Sequence, residues 1–230
     1  MTKEDNSTNK NKSKEEDMLP CVELVKTVGS TKWIALQTLT YRDPTGMERK
    51  WDMATRTTKQ KKDAADAVII IPLLYHSSSS NKKMETLWVH QFRPPVETHT
   101  VEFPAGLIDE GESSMEAALR ELKEETGYVG NCQASTVLSP LCCMSPGMID
   151  ESVVCVLVHV DLDDPQNQNP KANCDEGEFI TIQRVPMDQA MQSLLDSSHN
   201  MPIMGLYLFS LGFHLGLQHQ HTSSNQTTTA

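Results

Sequence analysis

The chain has 230 residues, a formal net charge of −11 and a sequence pI near 5.1. That length suits one good-sized domain with appendages and a substantial core. The acidic balance argues against bulk DNA or RNA as a ligand, which would call for a basic surface, but leaves nucleotides open because a metal ion can offset local charge.

Residues 1–18 are Lys, Glu, Asn and Ser with almost nothing apolar, and are expected to be a disordered tail. Residues 19–62 read as a hairpin region. WIALQTLTY (Trp33–Tyr41) has strand character, Asp43-Pro44-Thr45-Gly46 forms a turn, and a second strand runs toward Trp51 and Thr55. Residues 63–217 form the main domain. It opens with the strand AVIIIPLLY (Ala67–Tyr75), a flexible Ser77–Ser80 connection and the strand TLWVHQF (Thr86–Phe92). SVVCVLVHV (Ser152–Val160) and FITIQRV (Phe179–Val185) follow as buried strands. The polar, Pro-bearing stretch from Leu162 to Gly177 reads as unstructured, with the length of a functional lid or of a plain surface insertion. Helices are expected over Asp188–Asp196 and Ile203–Leu217. The second is apolar but shorter than the ~20 residues a bilayer span needs, so it reads as a buried helix. Residues 218–230 form a second disordered tail. The element mix is α/β. Six cysteines, none in a C-x-x-C pair, follow a start without a signal peptide; they read as reduced thiols of an intracellular protein.

The richest stretch is GLIDEGESSMEAALRELKEETGY, Gly106 to Tyr128. Ser113 and Glu116 have capping-box spacing. Met115, Ala118, Leu119 and Leu122 recur at helical spacing and face a core, and Gly127 ends the helix as a left-handed cap. Glu121, Glu124 and Glu125 line the adjacent stripe. Like charges at i,i+4, here Glu121 and Glu125, cost roughly 0.2–0.5 kcal/mol, and Arg120 relieves part of this by pairing with Glu124. A hard divalent cation among the carboxylates would remove the repulsion.

The run matches G-x5-E-x7-R-E-U-x-E-E-x-G-U, with U a bulky apolar residue, at its fixed positions Gly106, Glu112, Arg120, Glu121, Glu124, Glu125 and Gly127. Only the aromatic Tyr128 departs, in the last slot. It thereby resembles the Nudix box of the Nudix hydrolases. The resemblance implies an α/β/α sandwich with a mixed sheet, preceded here by an N-terminal antiparallel sheet. It also implies hydrolysis of a nucleoside diphosphate linked to another group.

TKWIAL, YRDPTGMERKW, TRTT, QFRPP, VEFPAGLIDEGE, MSPG and DEGEF extend the likeness over approximately Val22 to His214, to the ADP-sugar pyrophosphatases of animals. That resemblance implies cleavage of ADP-ribose into AMP and ribose 5-phosphate by a homodimer, in the cytoplasm or nucleus; the acidic charge and the short apolar stretch add the expectation of no nucleic-acid or membrane partner. It implies Mg²⁺, with Mn²⁺ as a substitute, on Glu121, Glu125 and the Ala105 carbonyl. Glu178 matches the catalytic base. Trp33 and Trp51 match the adenine sandwich, Arg56 and Arg93 the diphosphate clamp, and Leu107 and Met144 further substrate contacts. Glu102, Glu112, Arg120 and Glu124 take supporting positions around the metal ligands. Ser145 stands where the animal enzymes carry an acid, which leaves the contacts to the terminal ribose open. Two other readings remain at this point: a hydrolase of oxidised guanine nucleoside diphosphates, and a non-catalytic sensor of ADP-ribose.

Overall fold

The structure, a computed structural model, describes residues 19–59, 64–79, 83–196 and 200–226, with side chains through Gln220. The expected N-terminal tail, residues 1–18, lies outside them. The chain divides into two compact units. One takes the chain up to Ala64 together with Cys143–Ser152, and the other takes Ala65–Cys142 and the chain from Val153 onward.

In the first unit the expected hairpin is a three-stranded antiparallel sheet. β2 (Ile34–Arg42) and β3 (Glu48–Arg56) pair through a turn, and β1 (Cys21–Ser30), which the sequence reading passed over, adds to the far side of β2. The turn is built by Asp43, whose carboxylate accepts the Thr45 and Met47 amides at 2.8 and 3.0 Å, with Gly46 at φ +80°. β1 buries none of its residues, and Val22, Leu24, Val25 and Val28 stand exposed beside Ile34, Leu36 and Trp51. The 143–152 segment is fastened to β3 by successive ties. Ala54 N–H donates to the Met148 carbonyl at 2.9 Å, Ala54 bridges Ile149, and the Thr55 hydroxyl meets the Asp150 carboxylate at 3.1 Å. Arg56 Nε donates to Glu151 at 2.5 Å, and Lys59 Nζ reaches the Asp150 carbonyl at 3.0 Å.

The second unit is a mixed sheet with helices on both faces. β4 (Ala67–Tyr75) runs parallel to β10 (Ser152–Asp161); β5 (Glu85–Arg93) pairs antiparallel with β6 (Thr98–Glu102) and with β11 (Thr181–Pro186); β7 (Ala105–Leu107) pairs with β4. Short strands β8 (Thr136–Val137), β9 (Cys142–Cys143) and β12 (Met201–Pro202) complete it. Because side chains alternate across a strand, β4 and β10 feed two cores. Val68, Ile70, Val154, Val156, Val158 and Val160 pack beneath α1 (Ser114–Thr126) through Ala117, Ala118 and Leu122. On the other face Ile71, Trp88, Val101 and Phe103 meet α2 (Ala190–Asp196) and α3 (Met204–Gln226) through Ala190, Leu194 and Leu206.

Several expectations change. Phe179–Val185 is not a buried strand: pairing begins at Thr181, and within β11 only Val185 is buried, because β11 packs one residue inward and leaves the rest on a rim. The C-terminal helix is not buried all round; Leu206 and Ser210 are buried while Met204, Leu208 and Leu215 are exposed. It also continues to Gln226, into the stretch expected to be disordered tail. The Leu162–Gly177 stretch contains a 3₁₀ turn at Pro165–Asn167. Ser77 and Ser78, expected in a flexible connection, are tied to Asp161 and Asp163; Ser80 lies outside the described residues. No described helix is long and apolar enough to cross a membrane.

Candidate active site

The site of the second unit is laid out on α1 and the strand before it. Ser113 caps the helix with both bonds of the capping box: the Glu116 amide donates to Ser113 Oγ at 3.3 Å and the Ser113 amide to Glu116 Oε2 at 2.9 Å. At the other end Gly127 adopts φ +76°. β7 brings Gly106 against α1 so closely that a Cβ there would lie 1.9 Å from the carboxyl carbon of Glu121. The box glycine is thus the space into which the Glu121 carboxylate fits.

Arg120 organises the acids. Nε and Nη2 fork onto Glu112 at 2.9 and 2.8 Å, Nη1 donates to Glu121 at 2.8 Å and Glu124 at 3.1 Å, and Nη2 also donates to the Leu107 carbonyl at 2.9 Å. All five guanidinium N–H groups are thereby used. Arg120 therefore relieves more of the repulsion than the single Glu124 pair the sequence suggested. The fork holds Glu112 below the ordinary carboxylate range, and Arg120, bound first by Glu112, is raised above its own.

Glu125 has no such partner. It is 5% exposed, accepts the Ala105 amide at 3.2 Å, and forms no ion pair with a Lys, Arg or His among the described residues. Burial first, and the charge of Glu121 next, push its pKa up to about 8. Glu121 is also raised, by burial, against the pull of Arg120. On the neighbouring strands Arg93 Nε and Nη2 fork onto Glu102, both at 2.8 Å, and the Thr100 hydroxyl donates to the same carboxylate. Burial works to raise Glu102, but the Arg93 fork and Thr100 overcome it and hold its pKa low. Glu178 is exposed, in a turn where its amide donates to the Asp175 carbonyl and its carboxylate accepts the Asp175 amide. Its charge nevertheless adds to the upward push on Glu121, Glu125 and Arg93.

The structure thus brings Arg93, Glu102, Ala105, Leu107, Glu112, Arg120, Glu121, Glu124, Glu125 and Glu178 into one unit. Trp33, Trp51, Arg56 and Met144 belong to the other. There Trp33 is 57% exposed with Lys32 Nζ 4.2 Å from its ring centroid, and Trp51 and Met144 are also exposed. Arg56 borders a cavity of about 120 Å³ with Ile34, Ala54, Thr55, Ile149, Asp150 and Glu151. The sequence reading missed Thr100, Glu151 and Asn167. Of these only Glu151, in an acidic pair just after MSPG, carried a visible signal.

A buried carboxylate without a cationic partner, beside a second one, is an oxygen-only donor set suited to a hard divalent cation. Among the described residues no three His, Cys, Asp or Glu side chains are arranged to hold a metal. The pair fits an ion that completes its coordination with backbone carbonyl, water or substrate oxygens.

Compared with known families, residues 77–204 match the NUDIX domain model. This chain belongs to the Nudix family. The Nudix chain is 44% identical over 156 residues to an ADP-ribose pyrophosphatase of Saccharomyces cerevisiae, a match covering 68% of this chain and 65% of the yeast protein. It is 39% identical over 167 residues to an ADP-sugar pyrophosphatase of Mus musculus, covering 73% of each. A solved structure titled as that of an ADP compounds hydrolase shares the Nudix fold at a TM-score of 0.61. That match has 22% identity and covers 86% of this chain and 95% of the other. The carboxylate helix of this Nudix domain is in keeping with the family's general need for a divalent metal ion.

Proposed function

We propose that this Nudix domain hydrolyses ADP-sugars, ADP-ribose chief among them, to AMP and a sugar phosphate. Glu121, Glu125 and the Ala105 carbonyl would hold Mg²⁺, or Mn²⁺ in its place. The observation that carries the reading is Glu125, buried without a cation beside Glu121; the names of the yeast and mouse relatives direct it to ADP-sugars. The bound ion supplies charge neutralisation at the diphosphate and a more acidic water. The chain's own residues do the rest. Arg120 fixes Glu121 and Glu124 in place through its five bonds. Arg93, oriented by Glu102, offers the remaining face of its guanidinium to phosphate oxygens, as Arg56 does beside Glu151. Leu107 and Met144 contact substrate. Glu178 takes the proton of the attacking water.

The proposed adenine site is a homodimer's. Thr57 N–H donates to the Trp33 carbonyl, while Trp51 pairs with Leu39. Six residues of strand β3 and its continuation separate those two levels, about 20 Å of backbone at ~3.3 Å per residue, which favours a pocket framed by indoles of two chains over one framed by a single chain. Two copies could each donate one. The exposed apolar side chains of β1 and β2 support a face that a second copy covers.

A panel of ADP-sugars and oxidised guanine nucleotides, with Mg²⁺ and products separated by chromatography, tests the reading. AMP plus sugar phosphate is the expected result. A nucleoside monophosphate plus inorganic phosphate would favour an oxidised-nucleotide hydrolase, and binding of ADP-ribose without turnover a sensor.

A further inference from the structure

Residues 162–180 join β10 to β11 and carry Glu178 near their far end, long enough to behave as a free lid. Their first part does not. Asn167 is 4% exposed and its side chain is fully engaged: Oδ1 accepts the Val129 amide at 2.7 Å, and Nδ2 donates to the carbonyls of Val129 at 3.1 Å and Asp161 at 2.8 Å. Four residues on, the Lys171 backbone lies against Gly127, where a Cβ would come within 2.2 Å of the Lys171 nitrogen. Next, the Asn173 amide donates to the Glu124 carbonyl at 2.7 Å, and the Cys174 thiol lies 3.8 Å from the same oxygen. Apart from the bond to Asp161 at the end of β10, these contacts fall on the last turn of α1 or the residues just after it. That turn carries Glu124 and Glu125. Beyond Cys174 the chain is exposed and turns at Gly177, φ +93°.

From these contacts we infer that Asn167 is a positioning residue for Glu178. The 167–174 stretch is a post welded to the end of the carboxylate helix, and the moving arm is only the few residues after Cys174. Four residues reach at most roughly 13–14 Å, so the post confines the Glu178 carboxylate to the neighbourhood of Glu121 and Glu125. Without Asn167 the post loses its root at Val129 and Asp161, the Asn173 and Cys174 contacts are left to hold it alone, and the side of the Glu178 arm opposite its β11 anchor at Thr181 loosens. The same contacts give the last glycine of the box a second task besides ending the helix: it is the floor on which the post stands.

The inference rests on the reading of Glu178 as the base, and the test separates the two. Asn167→Asp keeps an acceptor for the Val129 amide but turns an oxygen toward the Val129 and Asp161 carbonyls, whereas Asn167→Ala strands all three buried backbone groups. A Gly-Gly insertion after Cys174 lengthens the arm without touching any anchor. The kcat, KM for ADP-ribose and Mg²⁺ dependence of wild type, Asn167→Asp, the insertion, Glu178→Gln and the two combinations with Glu178→Gln are measured. Asn167→Asp and the insertion should each lower kcat roughly tenfold, a partial loss of the ~10²–10⁴-fold that general-base work supplies, with KM and Mg²⁺ dependence nearly unchanged. In the Glu178→Gln background neither should cost anything further. Equal losses in both backgrounds, or full kcat in both single variants, would overturn the positioning role while leaving the base in place. Full kcat in Glu178→Gln itself would overturn the base reading, and the positioning role with it.

Discussion

Replacing Glu125 by Gln should inactivate the enzyme and, without metal, stabilise it. The carboxyl is 5% exposed and its pKa stands near 8 instead of 4.5. The folded-state value lies above the unfolded one, so below pH ~4.5 both states hold the proton and folding bears no penalty. As pH rises toward 8 the unfolded chain loses that proton first, and stability falls by about 1.4 kcal/mol per pH unit. The full interval amounts to about 5 kcal/mol as an upper bound, and relaxation and water entry reduce it to roughly 2–4 kcal/mol. Gln keeps the shape and still accepts the Ala105 amide, but never ionises. In chelator the variant should therefore melt about 5–10 °C above wild type at pH 8 and near wild type at pH 5. Millimolar Mg²⁺ should raise the wild-type Tm and leave the variant's unmoved. Scanning calorimetry or dye-based melting at both pH values, with and without metal, reads all four conditions. Equal Tm differences at pH 5 and pH 8, or a wild type blind to the cation, would refute the buried-charge argument.

The other expectations follow from single contacts. Glu178→Gln should lower kcat at least tenfold with Tm and metal affinity unchanged; a kcat within twofold of wild type would send the search for the base to Glu102, Glu112 and Glu124. Trp51→Ala should raise KM for ADP-ribose more than it lowers kcat, since stacking grips substrate and transition state alike, and an unchanged KM with the oligomeric state unaltered would mean the indole merely packs. Gly106→Ala places a methyl 1.9 Å from the Glu121 carboxyl carbon, so Mg²⁺ affinity measured by titration calorimetry should fall at least tenfold; wild-type affinity would show that Glu121 can move aside without leaving the site.

The box was legible because its logic is local. The Ser113–Glu116 cap, the apolar stripe through Leu122 and the left-handed Gly127 depend on spacings of three and four residues along one helix. The strands read over Ala67–Tyr75 and Ser152–Val160 were legible as apolar runs, the second extending one residue further to Asp161. What escaped was set by partners distant in sequence. FITIQRV is as apolar as a core strand, yet it lies at a rim and buries only Val185. The uncharged C-terminal helix looks buried, but the sheet covers just the side that carries Leu206 and Ser210. β6, THTVE, alternates too weakly to announce itself and is held by β5 and β12. Asn167 carries no local signal, because its three partners lie at Val129 and Asp161.

The ties between β3 and residues 143–152 bear on how such enzymes can be recombined. Ala54, Thr55, Arg56 and Lys59 meet Met148, Ile149, Asp150 and Glu151 almost rung by rung, over a gap of some 90 residues in the chain. A chimera that exchanges the N-terminal sheet alone would leave Glu151 facing a foreign residue in place of Arg56, and Asp150 without Thr55 and Lys59. The transplantable module is discontinuous: the sheet and the 143–152 segment have to be moved together.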